Sequence, residues 1–107
     1  MKPPADHSFV DHVLDQLDGF AVVPRAMFGG HGLYHGETFF ALVYGGRLYF
    51  RCDDFARPEF ERRGMGPFKP GIARPMRSFY EVPPEVLEDA AELQNWAARA
   101  VRSRSDT

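Results

Sequence analysis

Gly45-Gly46 separates two apolar runs, Thr38 to Tyr44 before it and Arg47 to Arg51 after it, and this pair constrains the fold more than any other feature of the chain. A two-residue connection in which both positions take positive φ makes a tight β-hairpin, and glycine reaches that region without steric cost. The flanking runs must then be antiparallel neighbours, because parallel strands need a crossover of about a dozen residues or more. The first run is apolar at Phe39, Phe40, Ala41, Leu42 and Val43, which predicts a central strand covered on both faces. The second alternates, with Leu48 and Phe50 on one face and Arg47, Tyr49 and Arg51 on the other. The sheet is therefore expected to have one apolar and one amphipathic side.

The remaining segments extend this sheet. Residues 1–7, with Pro3-Pro4, read as a flexible arm, and Ser8 is placed to cap a helix carrying Phe9, Val10, Val13, Leu14 and Leu17 at helical spacing until Gly19. Ala21 to Phe28 reads as an edge strand or bulge, because Pro24 donates nothing to a ladder. Gly29-Gly30-His31-Gly32 is expected to break that strand before Leu33-Tyr34. His35-Gly36-Glu37 then turns the chain into the Thr38 run. Asp53 or Asp54 is placed to cap a second helix that tolerates Pro58 in its first turn and ends before Gly64. Gly64 to Pro75 reads as a long loop and Arg77 to Val82 as a strand. From Pro84 the chain is helical with a break near Glu88-Asp89, burying Val86, Leu87, Leu93, Trp96, Ala97, Ala100 and Val101. The expected class is α+β: about five antiparallel strands, with helices at the N-terminus, between strands and at the C-terminus. One domain spans residues 8–103, followed by a tail at 104–107.

Composition narrows the functional classes. A chain of 107 residues, 44% hydrophobic and 14% aromatic, can bury about two-thirds of its unfolded surface in one core, which excludes disorder for want of apolar surface. Cys52 is the single cysteine, and no charged-then-apolar leader or apolar run of membrane length is present; a reducing, cytoplasmic setting without membrane contact is expected. The net charge of -2 opposes a surface that is a polyanion-binding field throughout. Residues 47 to 77 nevertheless carry eight Arg and Lys against four acids.

No catalytic, cofactor-binding or metal-binding residues emerge. The glycine stretch leads from strand to strand rather than to a helix N-terminus, and it lacks a Walker lysine. His7 with His12, and His31 with His35, lack the four-residue gap that stacks two imidazoles on one helical face. Arg51 beside Cys52 could activate a thiol, but with no histidine nearby in sequence an inert, semi-buried cysteine is the better reading. Arg25, between Val23 and Met27, needs an anionic or carbonyl partner, and Asp53 or Asp54 is the expected one. Aromatics interleave the basic middle, so phosphates could meet arginines and bases could meet rings, although a small core needs those rings itself.

Arg25-Ala26-Met27-Phe28-Gly29-Gly30-His31-Gly32-Leu33-Tyr34, Gly46 to Arg51, Pro67-Phe68, Tyr80-Glu81-Val82-Pro83, Leu87-Glu88-Asp89, and Leu93 with Trp96 together resemble the N-terminal domain of the TfoX/Sxy competence regulators. The resemblance runs from about Phe9 to Val101. It implies a helix, antiparallel sheet and helix sandwich of about five strands, and a role in regulating gene expression. Longer members act in natural competence with the cyclic-AMP receptor protein. It implies no enzymatic activity and no cofactor. Arg25, Met27, Phe28, Gly29, Gly30 and Gly32 form its structural motif. The chain stops where that domain ends, so co-activation that depends on a second helical domain is expected to be absent.

Three classes of function follow. The first is a regulatory adaptor that binds a protein, such as a component of the transcription machinery, through Arg47, Arg51, Arg62, Arg63, Lys69 and Arg74. The second is a nucleic-acid-binding module using the same arginines, and the third is a small-molecule binder or enzyme with a pocket near Arg25 and the glycines. Monomer and edge-paired homodimer are both compatible with the sequence.

Overall fold

A computed structural model of the chain describes residues 5–27, 29–69 and 74–103. The elements run α1 (Ala5–Gln16), β1 (Val23–Met27), β2 (Gly30–His35), β3 (Thr38–Tyr44), β4 (Arg47–Arg51), α2 (Arg57–Arg62), β5 (Pro67–Phe68), β6 (Met76–Glu81), α3 (Pro84–Leu87) and α4 (Ala90–Arg102). The six strands form one antiparallel sheet in the order β1-β2-β3-β4-β6-β5.

Gly45 and Gly46 take φ of 59° and 74° and close the β3–β4 hairpin, as the sequence predicts. β3 is central and buried from Phe40 to Val43. Its unbroken apolar run has a specific cause. Leu33 pairs with Ala41 and Tyr34 with Phe39, so Phe40 is the extra residue of a bulge. Phe40, Ala41 and Val43 therefore all join the main core, while Leu42 and Phe39 belong to a cluster on the opposite side.

The main core lies where α1 and α4 pack over β3 and β4, and it holds Val13, Leu17, Leu48, Phe50, Leu93, Trp96 and Ala97 among others. The C-terminal end of α1 is tied down by two glutamines. Gln94 Nε2 donates to the carbonyls of Gln16 (3.1 Å) and Asp18 (2.9 Å), and Gln16 Nε2 donates to the Leu87 carbonyl at 2.8 Å. These bonds satisfy carbonyls that a helix end leaves without partners.

Several expectations are corrected. The sheet has six strands rather than five, because β5 lies within the stretch read as a loop. Phe68 buries its ring against Tyr49 (5.0 Å between centroids) and Tyr44 (5.3 Å), and Pro67 is tolerated because β5 is an edge strand. The face of Tyr49 is thus not merely amphipathic; Leu42, Tyr49, Phe68 and Phe79 form a second buried cluster there. Gly29-Gly30-His31-Gly32 does not interrupt the chain as far as expected, since only Gly29 (φ 80°) turns and β2 begins at Gly30. Ser8 lies within α1 rather than at its cap. The helix runs from Ala5, so residues 5–7, read as part of an arm, are helical. Phe28, residues 70–73 of the expected loop and the 104–107 tail lie outside the described residues.

The break between α3 and α4 falls where expected. Asp89 caps α4, its carboxylate accepting the Glu92 N–H at 3.2 Å. Asp89→Ala is expected to lower stability by about 1 kcal/mol, read as a shifted urea midpoint at unchanged slope, whereas Asp89→Ser should restore most of it.

Candidate functional site

α2 and the C-terminal half of α4 meet near the end of β4 through Phe60 and Trp96, and residues of both line a groove of about 400 Å³. Its apolar surfaces come from Ala56, Pro58 and Phe60 on one side and Trp96 and Ala100 on the other. Phe60 and Trp96 meet edge to face, with centroids 5.0 Å apart, which fixes the distance between the two helices at this point. Phe55 belongs to the lining and is 93% exposed, an aromatic ring held in solvent by the turn that leads into α2.

That turn is built by Asp53, whose Oδ1 accepts the Ala56 N–H at 2.9 Å and whose carbonyl accepts from Arg57. The expected capping of α2 by Asp53 or Asp54 is corrected: its N-cap is Ala56, which makes no side-chain capping bond, and Asp53 closes the turn before the helix instead. Pro58 sits in the first turn of α2, and Gly64 follows its end at φ 81°.

Arginines dominate the polar lining: Arg51, Arg62, Arg99 and Arg102, against Asp53 and Glu59. Glu59 is committed, since Arg62 bonds one of its oxygens and Arg63 the other at 3.2 Å. Arg63 also reaches Glu85 at 3.2 Å, and its guanidinium lies over the Trp96 ring at 5.2 Å; Arg99 lies over the same ring at 5.2 Å. Among the described residues, Arg51, Arg99 and Arg102 form no ion pair with a carboxylate. Ser103, just past α4, lines the groove at 6% exposure with a buried Oγ that has no hydrogen-bond partner among the described residues.

Of the six residues proposed from sequence as an interaction surface, Arg51 and Arg62 meet in the groove and Arg63 stands beside it on Trp96. Arg47 instead pairs with Glu81 at 3.1 Å on the sheet, and Lys69 and Arg74 are exposed residues outside the groove lining. Trp96, Arg99, Arg102 and Ser103 were not anticipated as site residues, and Phe55 only as one of the rings of the basic middle that could meet bases or fill the core. The available signal was Arg99 and Arg102 three apart beside Trp96, which falls on the flank of a stripe readable from sequence only as core.

The glycine motif is filled by protein. A Cβ on Gly30 would stand 2.2 Å from the Val43 carbonyl oxygen, and one on Gly32 would stand 2.7 Å from the Met27 methyl. These glycines allow β1, β2 and β3 to approach closely, and the space above them is taken by Met27, Phe39 and Tyr44. Arg25 does not pair with Asp53 or Asp54. It is exposed over the Tyr34 ring at 5.0 Å, while Asp54 is bound by Arg57 at 2.6 Å, only three residues away.

Cys52 is buried, and its thiol donates to the Arg77 carbonyl at 3.7 Å. Burial pushes the thiol up to about 11, against the opposing pull of Arg57. Since the folded state favours the protonated form, its contribution to stability is complete below the ordinary value of 9.0 and is lost as pH rises through about 11. Alkylation of the native protein is expected to be slow at neutral pH and to rise only above pH 9, whereas urea-unfolded protein reacts readily; rapid modification of native protein at pH 7 would contradict the burial.

His12 lies 3.5 Å from Glu88, and His35 Nδ1 donates to the Ala21 carbonyl at 2.8 Å while stacking on Phe20. Among the described residues no group of three His, Cys, Asp or Glu is placed to hold a metal ion, and no helix is long and apolar enough to cross a membrane.

The fold is thus an α+β domain with helices over one face of an antiparallel sheet and an arginine-lined groove between two of them. A family model described as the TfoX N-terminal domain matches residues 14–103, and the chain belongs to that family, a domain of regulator type. No curated protein matches the sequence.

Proposed function

We propose that this domain is a regulatory adaptor that acts in the cytoplasm by binding another protein in the control of transcription, and that the α2–α4 groove is its contact surface. The observation that carries this reading is the groove itself: apolar walls, arginines on the rim and a projecting Phe55. Aromatic and arginine side chains are the types enriched where protein interfaces concentrate their binding energy. Membership of the TfoX N-terminal domain family supports the regulatory part of the reading. Cys52, a buried free thiol, suits a reducing compartment.

The ion pairs favour a protein over a nucleic acid. Arg47, Arg57, Arg62, Arg63 and Arg77 each have a carboxylate within 4.0 Å, so much of the basic middle is locally neutralised. A backbone of phosphates would have to compete with those acids.

Affinity purification of the tagged domain from its own cells, with and without nuclease, tests the reading. A protein retained after nuclease and lost with Phe55→Ser supports it. Retention that requires nucleic acid, or that ignores Phe55→Ser and Arg62→Glu alike, contradicts it.

A further inference from the structure

We infer that the groove takes a short acidic segment of the partner protein, with an apolar side chain seated on Phe60 and Trp96 and carboxylates held by Arg51, Arg99 and Arg102. This rests on the adaptor reading above and names the chemistry of the partner that reading requires.

Charge is the first ground. The two acids in the lining are already engaged, Asp53 with the Ala56 N–H and Glu59 with Arg62 and Arg63. The three arginines Arg51, Arg99 and Arg102 have no carboxylate among the described residues. The groove therefore offers cations without a complementary charge among the described residues, and a guanidinium fork matches a carboxylate in geometry as well as charge.

Ser103 is the second. Its buried hydroxyl has no partner among the described residues, although buried polar atoms are nearly always bonded. An incoming carboxylate oxygen would accept this O–H, so occupancy supplies the missing bond.

Size and shape select a peptide segment. A volume of about 400 Å³ holds a few side chains, and Phe55 on the rim offers apolar surface beyond what a small ligand in the groove would cover. A single-stranded nucleic acid, the competing polyanion, needs open aromatic faces for its bases. Within the groove Phe60 and Trp96 are 4% and 5% exposed, enough for an aliphatic contact but not for a stacked base, and of the lining rings Phe55 alone is open.

The test is a nuclear magnetic resonance titration of the labelled domain with four probes: a synthetic peptide of Asp and Glu around one Phe and one Leu, its Asn/Gln counterpart, its Ser-anchored counterpart, and a single-stranded oligonucleotide. The acidic-apolar peptide is expected to move the Trp96 indole N–H and the Ser103 amide, and Arg99→Gln with Arg102→Gln should weaken it by about tenfold or more. Both arginines are exposed, so the double variant keeps the fold. No movement of these signals, an equal response to the neutral peptide, or tighter binding of the oligonucleotide would overturn the inference. A cellular partner lost with Phe55→Ser but indifferent to the arginine variant would overturn it too, while leaving the adaptor reading in place.

Discussion

Gly30→Ala is expected to destabilise the domain by about 3 kcal/mol or more, a large part of the roughly 5–15 kcal/mol by which a domain of this kind is stable. The added Cβ would lie 2.2 Å from the Val43 carbonyl oxygen and 3.3 Å from the Tyr44 Cα. Both are backbone atoms of the neighbouring strand, so no rotamer change relieves the clash, and β2 must part from β3 at the centre of the sheet. Gly29 provides the control. Its φ of 80° makes alanine strained, but nothing lies within 4 Å of the new Cβ, so Gly29→Ala should cost only about 1–2 kcal/mol. Gly32→Ala should fall between them, because the nearest atom is the movable end of Met27. Urea unfolding of the three variants reads the order directly, and a Gly29 variant less stable than the Gly30 variant would contradict the close approach of the strands.

The second large effect is at Trp96. This side chain is 5% exposed, lies edge to face with Phe60 and donates its indole N–H to Glu92 at 3.0 Å. Trp96→Ala removes that packing and leaves a cavity between α2 and α4, at an expected cost of about 3–5 kcal/mol. It also leaves the guanidiniums of Arg63 and Arg99 without the ring they lie over. Trp96→Phe keeps a ring between the helices and is expected to cost no more than about half as much, so the groove persists. Thermal melts of the two variants separate these outcomes; equal losses would mean that the aromatic contact with Phe60 contributes little.

Local signals were legible and long-range ones were not. Gly45-Gly46 specified the hairpin because the need for positive φ resides in those two residues, and the pair has φ of 59° and 74°. The division of the C-terminal helix was readable because Pro84 and Asp89 are start signals in their own right. By contrast, Gly30 and Gly32 are strand residues whose requirement for glycine comes from what lies opposite, Val43 and Met27, and no local pattern carries that information. β5 escaped notice because two residues show no period; its place is set by Phe68 packing on Tyr44 and Tyr49.

The expected pairing of Arg25 with Asp53 or Asp54 failed for a related reason. Arg25 lies on the edge strand β1, with β2 and β3 between it and β4, whose end leads to these acids. In the groove, composition pointed to arginines in the middle of the chain, and Arg51 and Arg62 are indeed present. Their neighbours Arg99, Arg102 and Ser103 arrive from α4 by tertiary packing, about forty residues away along the chain. Phe55 read as another core aromatic, and only the turn built by Asp53 places it in solvent.

Hydrogen–deuterium exchange on the domain bound to its nuclease-resistant partner tests the role of the groove most directly. Protection is expected at the amides of α2 and of the C-terminal half of α4, with β1 unchanged. Protection confined to β1 or to the face bearing Tyr49, with the α2 and α4 amides exchanging as in the free domain, would contradict it.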